Sequence, residues 1–139
     1  MLNRILGTLA AAVLCLTTGA VAQGEAAEQA SSADERNLSQ WVTELKSAPA
    51  PQTRNAAAYE ISGMGPAAAS AVPALIEALD DPAATVRYPV TVALGEIGPA
   101  ASAAVPRLKK MMEEETNDEL ASAAKRAIRK IQPAALAGN

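Results

Sequence analysis

Apolar side chains recur at helical spacing through most of this chain, from Leu38 to Ile131. In the clearest stretch they occupy positions 86, 90, 94 and 97, which share one face of an α-helix. Read with the proline, glycine and capping residues, this spacing predicts six helices, at about 38–46, 52–63, 70–80, 82–97, 103–115 and 117–131. The chain has one Trp, two Tyr and no Phe and is rich in alanine, which favours helices over a sheet.

Helix boundaries are marked by residues suited to begin or end a helix. Asp81 is a good N-cap for the fourth helix, with Pro82 at the first helical position, where a missing N–H costs nothing. The pair Gly98-Pro99 ends that helix with a C′ glycine and a helix breaker. Thr116 and Glu119 have the spacing of a capping box before the sixth helix.

The helical pattern is an internal repeat. The segment Gly65–Asp81, GPAAASAVPALIEALDD, reappears 33 residues later as Gly98–Glu114, GPAASAAVPRLKKMMEE. Weaker copies at an offset of 34 extend the repeat upstream and downstream, which makes three helix pairs. Because one pair cannot bury its apolar face alone, neighbouring pairs must stack. The sequence therefore predicts an all-α fold, an α-solenoid of about three helix pairs over residues 37–132.

The repeat unit resembles that of the HEAT family, in particular its bacterial phycobilisome-lyase HEAT-like subclass, whose units read DPxxxVRxxAxxALGxIGPxAxxAVPxLxxxL. The resemblance is carried by Asp81, Pro82, Val86, Arg87, Ala93, Leu94, Gly95, Ile97, Gly98, Pro99, Ala101, Ala104, Val105, Pro106 and Leu108. It implies a solenoid that serves mainly as a binding scaffold. It also implies a structural polar ladder between units, formed by Arg54, Asp81 and Arg87, which should end where Ala121 replaces the arginine of the third unit.

By the same resemblance, the second helices of the pairs line a concave surface suited to a peptide. Asn55, Tyr59, Tyr88, Thr91 and Val92 are expected on or near this surface. Tyrosine and exposed apolar groups are typical anchors of protein interfaces.

Three residues inside the second helices are unusual there. Pro89 removes a backbone hydrogen bond to Thr85 and predicts a kink, which either shapes the peptide surface or is simply tolerated. Gly63 and Gly95 are expected to let adjacent helix backbones approach closely.

Composition excludes most catalytic chemistry. The chain has no histidine, and its one cysteine, Cys15, lies in the N-terminal segment, so histidine-dependent nucleophiles and zinc sites of the usual type are excluded. The di-iron hydroxylases of the HEAT family need histidine ligands, so that resemblance implies no such activity here. A formal charge of −3 does not favour nucleic acid as a partner. We expect no enzyme activity and no cofactor.

Residues 1–22 have the pattern of a cleavable signal peptide. Arg4 precedes an apolar run from Ile5 to Leu16, and an Ala-x-Ala site ends at Ala22. The run is shorter than the roughly 20 residues that span a bilayer, so no membrane insertion is expected after cleavage. Residues 23–36 read as a flexible spacer and residues 133–139 as a tail. The expected location is the periplasm or the medium.

These features predict an exported repeat protein that acts as a small scaffold for a protein or peptide. An alternative is a structural protein that self-associates through its exposed repeat ends. A remote alternative, implied by the resemblance alone, is an accessory subunit of a bilin lyase-type enzyme.

Overall fold

The computed structural model describes residues 37–137, which lie within one compact unit. The predicted signal peptide over residues 1–22 and the spacer over residues 23–36 lie outside the described residues.

Six α-helices account for most of the described chain, and no strand occurs in residues 37–137. Helix α1 covers residues 37–47, and it is followed by α2 (Pro51–Met64), α3 (Val72–Ala78), α4 (Ala84–Ile97), α5 (Val105–Glu114) and α6 (Asp118–Ile131). Three short 3₁₀ segments cover Gly65–Ala71, Gly98–Ala104 and Pro133–Leu136. The all-α prediction is confirmed.

The helices stack as three pairs, α1 with α2, α3 with α4 and α5 with α6. The second helices pack side by side, α2 against α4 and α4 against α6. The predicted apolar positions 86, 90, 94 and 97 are all buried, and one core joins the pairs. Each fully buried Val, Leu or Ile contributes about 1.5–3 kcal/mol, so the shared core holds the solenoid together.

The connections within the repeat differ from the prediction, because a 3₁₀ segment precedes both α3 and α5. Gly65 and Gly98 end the preceding helices with φ angles of +54° and +75°, a conformation that L side chains rarely adopt. The alanine-rich stretch that follows turns back on itself, with Ala68 and Ala101 buried at the non-helical point. Consequently α3 and α5 begin two residues later than predicted, with a proline still in the first turn.

Two predicted caps are replaced by neighbouring residues. Helix α4 begins at Ala84, because the carboxylate of Asp81 accepts the N–H of Ala83 at 2.9 Å and holds that residue outside the helix. Helix α6 is capped by Asn117 and not by Thr116. The Asn117 side chain accepts the first-turn N–H groups of residues 119 and 120 at 3.0 and 3.2 Å.

The two glycines inside the second helices have different surroundings. A methyl group at Gly95 would lie 3.2 Å from the Cα atom of Ala127, so α4 and α6 do approach closely there, as predicted. At Gly63 a methyl group would meet no atom within 4 Å, so the predicted close approach is wrong at that position. The difference arises because Gly63 faces solvent and Gly95 is buried between helices.

The segment that follows α6 packs against it. Residues Pro133–Leu136 form a 3₁₀ turn in the stretch that the sequence assigned to a tail, and Ala135 and Leu136 are half-buried against the core. Within the described part of the chain, none of the helices has the length and hydropathy needed to cross a membrane.

Candidate functional site

Four predicted binding residues come together on the outer surface of α2 and α4. Asn55 and Tyr88 occupy equivalent positions of the repeat, 33 residues apart, and so do Tyr59 and Val92. In each helix the two positions are four residues apart and therefore share one side of the helix. We call Asn55, Tyr59, Tyr88 and Val92 the second-helix face.

Two open depressions adjoin on this surface and meet at Tyr88. The first has a volume of about 330 Å³ and is lined by Asn55, Tyr59, Ala84, Thr85, Tyr88, Asn117, Glu119 and Leu120. The second, of about 250 Å³, is lined by Tyr88, Val92, Gly95, Glu96, Ala123, Arg126, Ala127 and Lys130. Small residues at positions 95, 123 and 127 form the buried floor of the second depression. Together the depressions make a continuous path across α2, α4 and α6.

The two tyrosines differ in exposure. Tyr59 is 51% exposed, and among residues 37–137 it is the only large hydrophobic side chain on the surface to that degree. Tyr88 is half-buried and packs against the core, so its ring is held in place by neighbouring side chains. A fixed ring beside an exposed one offers apolar contact area at low cost in side-chain entropy.

Thr91 does not belong to this surface, so the prediction for that residue is wrong. Its side chain is fully buried, and its hydroxyl donates to the carbonyl of Arg87 at 2.8 Å and lies 3.7 Å from the sulfur of Met111 on α5. The repeat explains the error, since the residue equivalent to Thr91 one unit earlier is Ala58, which is also buried. Position 91 faces the first helices, whereas positions 88 and 92 face outward.

Asn55 has a structural role that follows from Pro89. Pro89 has no N–H to donate to the carbonyl of Thr85, four residues earlier in α4. The Asn55 side-chain amide donates to that carbonyl at 2.5 Å and so links α2 to α4. Helix α4 continues through Pro89 without interruption, and the carbonyl that proline leaves free is satisfied by the neighbouring unit.

Charges divide the surface into two ends. Glu119 is the charged residue of the first depression, whereas Glu96, Arg126 and Lys130 line the second. Lys130 pairs with Glu96 at 2.5 Å, both groups being exposed. Arg126 forms no ion pair with any described residue, so the second depression carries one uncompensated positive charge beside Val92.

The predicted polar ladder starts at Arg54. Its guanidinium makes a two-point contact with the carboxylate of Asp81 in the next unit, with Nε–Oδ2 and Nη2–Oδ1 distances of 2.6 and 3.1 Å. The third nitrogen donates to the carbonyls of Ala48 and Pro49 at 2.8 and 3.1 Å. Arg54 therefore ties the turn of its own unit to the turn of the next one.

The second rung of the ladder uses an acid that the sequence analysis did not assign. Arg87 donates to the carbonyls of Asp81 and Pro82 at 2.8 and 3.3 Å, and its Nη2 pairs with Glu115 at 3.1 Å. Glu115 lies 34 residues after Asp81 and its side chain is 16% exposed. The signal was the repeat offset, which is 34 and not 33 across this part of the chain. With Ala121 in place of the next arginine, the described ladder ends there.

Electrostatics agree with a structural role for the ladder. The hydrogen bonds from the Arg54 guanidinium lower the pKa of Asp81 below its ordinary value, against the opposing effect of burial. The N–H of Ala83 and the positive charge of Arg87 act in the same direction. The carboxylate is therefore held ionised in the turn, with its oxygens occupied.

The fold and its surface define a class, the all-helical repeat scaffolds, in which stacked helix pairs present one row of helices to a partner. Within that class, a model of the HEAT repeat family matches residues 38–129, so the chain belongs to the HEAT repeat family. The match supports the family as a whole and no particular subclass. No curated protein and no solved structure matches the chain significantly. HEAT repeats generally serve as scaffolds for protein interactions.

Proposed function

We propose that this chain is an exported HEAT-repeat module that binds a protein partner through an extended segment laid across the second-helix face. The observation that carries the proposal is Tyr59, a large and exposed aromatic side chain on a surface that otherwise keeps its large apolar groups inside. It lies on the wall of an open depression beside the fixed ring of Tyr88. Aromatic side chains in such positions are typical anchors of binding interfaces.

Self-association through the repeat ends has less support. End-to-end stacking requires an apolar surface at an end of the solenoid. The outward side chains of α6 at the C-terminal end are charged, with Lys125, Arg126, Arg129 and Lys130 all exposed. Like charges on that face oppose contact with a second copy.

Export is the second part of the proposal and rests on the pattern of residues 1–22. If the signal peptide is cleaved after Ala22, the chain recovered from a bacterial host begins at Gln23 and lies outside the cytoplasm. Mass spectrometry of the intact protein from cytoplasmic and periplasmic fractions tests both points. Recovery of the chain with residues 1–22 attached, in the cytoplasm, would contradict export.

Random-peptide display on the full chain, purified as the host processes it, tests the binding surface. Peptides selected on the native protein should be lost with Tyr59→Ala, because this variant removes the exposed anchor. Glu60→Ala is the matched control, since it alters the adjacent exposed residue of the same helix. Selection of no peptides, or of peptides indifferent to Tyr59→Ala, would refute the second-helix face as the binding surface.

A further inference from the structure

Equivalent positions on the three second helices change character from one end of the solenoid to the other. The position held by Tyr59 in α2 is held by Val92 in α4 and by Arg126 in α6, at offsets of 33 and 34. All three residues line the depressions that meet at Tyr88. A partner lying across the helices therefore meets an aromatic ring, then an aliphatic group, then a cation.

The positive end of this row has no structural explanation in the described residues. Cations in the last turn of a helix are stabilised by the helix dipole, which accounts for Arg129 and Lys130. Arg126 lies before that last turn, is exposed, and forms no ion pair with residues 37–137. Its charge is available to an external acidic group.

The spacing of the row matches an extended chain. Packed helices lie about 8–10 Å apart. A peptide in the polyproline II conformation advances about 9 Å in three residues and presents every third side chain on the same side. Positions i, i+3 and i+6 of such a peptide can therefore contact α2, α4 and α6 in turn.

We infer that the second-helix face selects an acidic peptide segment, with apolar side chains over Tyr59 and Val92 and a carboxylate at Arg126, at intervals of three residues. This inference rests on the proposed function and adds the chemistry of the partner. The carboxylate enters a depression whose other cation, Lys130, is already paired with Glu96, so Arg126 sets the preference for negative charge.

Synthetic peptides test the inference directly. The probes are fluorescein-labelled ten-residue peptides containing Leu-x-x-Leu-x-x-Glu or its reverse, with proline, serine and glutamine elsewhere. In matched probes the glutamate is replaced by lysine, or moved one residue closer to the leucines. Fluorescence polarisation with the full chain, purified as the host processes it, should show binding about fivefold tighter for the glutamate probe than for the lysine probe, since each exposed charge pair is worth up to about 1 kcal/mol.

Charge reversal separates this inference from a general attraction to a basic helix. Arg126→Glu should invert the preference, so that the lysine probe binds better than the glutamate probe. Lys125→Glu changes the net charge equally and lies one residue away on the same helix, but outside the lining of the depression, so it should leave the preference unchanged. Binding by the variant to either probe also shows that it is folded.

Three results would overturn the inference. The preference for glutamate could survive Arg126→Glu, could be lost equally in Lys125→Glu, or could ignore the one-residue shift of the acid. If none of the probes binds while display still yields peptides dependent on Tyr59, the acidic segment is wrong and the binding surface stands. If display also yields no such peptide, the proposed function fails together with the inference.

Discussion

Asn55 is expected to stabilise the domain only while residue 89 is a proline. The side-chain amide of Asn55 satisfies the carbonyl of Thr85, which Pro89 leaves without its normal partner within α4. Asn55→Ala removes this hydrogen bond, at a cost of about 1 kcal/mol. Alanine also has the higher helix propensity, which returns about 0.5 kcal/mol. The expected net loss in the native background is about 0.5 kcal/mol.

A double-mutant cycle with Pro89→Ala isolates the hydrogen bond. In that background the N–H of residue 89 donates to the carbonyl of Thr85, and Asn55 becomes dispensable. The gain in helix propensity on Asn55→Ala is the same in both backgrounds and cancels in the cycle. The expected coupling energy is therefore about 1 kcal/mol, with Asn55→Ala turning neutral or slightly stabilising in the Pro89→Ala background.

Urea unfolding, followed by circular dichroism and by the fluorescence of the single tryptophan, measures all four free energies of unfolding. Coincidence of the two probes checks that unfolding is two-state. A coupling energy below about 0.3 kcal/mol would be ordinary additivity. It would refute the idea that Asn55 replaces the hydrogen bond that proline removes.

Two further predictions concern the ladder and the glycines. Because the pKa of Asp81 is lowered from its ordinary 3.8 by Arg54, its contribution to stability is present above that value and lost as pH falls through the lower folded pKa. Urea midpoints should therefore decline from about pH 5 downward, less steeply in Asp81→Asn, whereas Asp80→Asn, which removes an exposed carboxylate, should keep the native slope. Gly63→Ala should stabilise by about 0.5–1 kcal/mol in thermal melts, since the position is open helix surface. Gly95→Ala should destabilise, because its methyl group meets a Cα atom of α6 at 3.2 Å; equal gains for both glycines would show that α6 shifts freely.

The fold was predictable because the repeat and the helix boundaries agree with each other. Buried positions such as Val86 and Leu94 follow from spacing alone, and the glycines with positive φ mark the helix ends. The 3₁₀ segments were not predictable in the same way. Their alanine-rich sequences are compatible with an ordinary α-helix, and the turn back at Ala68 and Ala101 depends on packing between neighbouring units.

The candidate site was predicted in part, and its errors have physical causes. Thr91 looks like a polar surface residue in the sequence, but its hydroxyl bonds to the carbonyl of its own helix and needs no solvent. Asn55 looks like a free surface amide until Pro89 and the packing of α2 on α4 are considered together. Glu115 was hidden among three consecutive glutamates, of which only the packed turn distinguishes one.

The ladder determines how the length of such a domain can change. Each arginine binds its own turn and the acid of the following unit, so an internal duplication of residues 65–97 would add one acid and one arginine in register. Arg87 would then meet the copied Asp81, and the copied arginine would meet Glu115. Loss of the last unit, by contrast, would leave Arg87 without an acid, and Ala121 offers nothing to a unit added after it. The domain is therefore open to lengthening from within and closed to it at its C-terminal end.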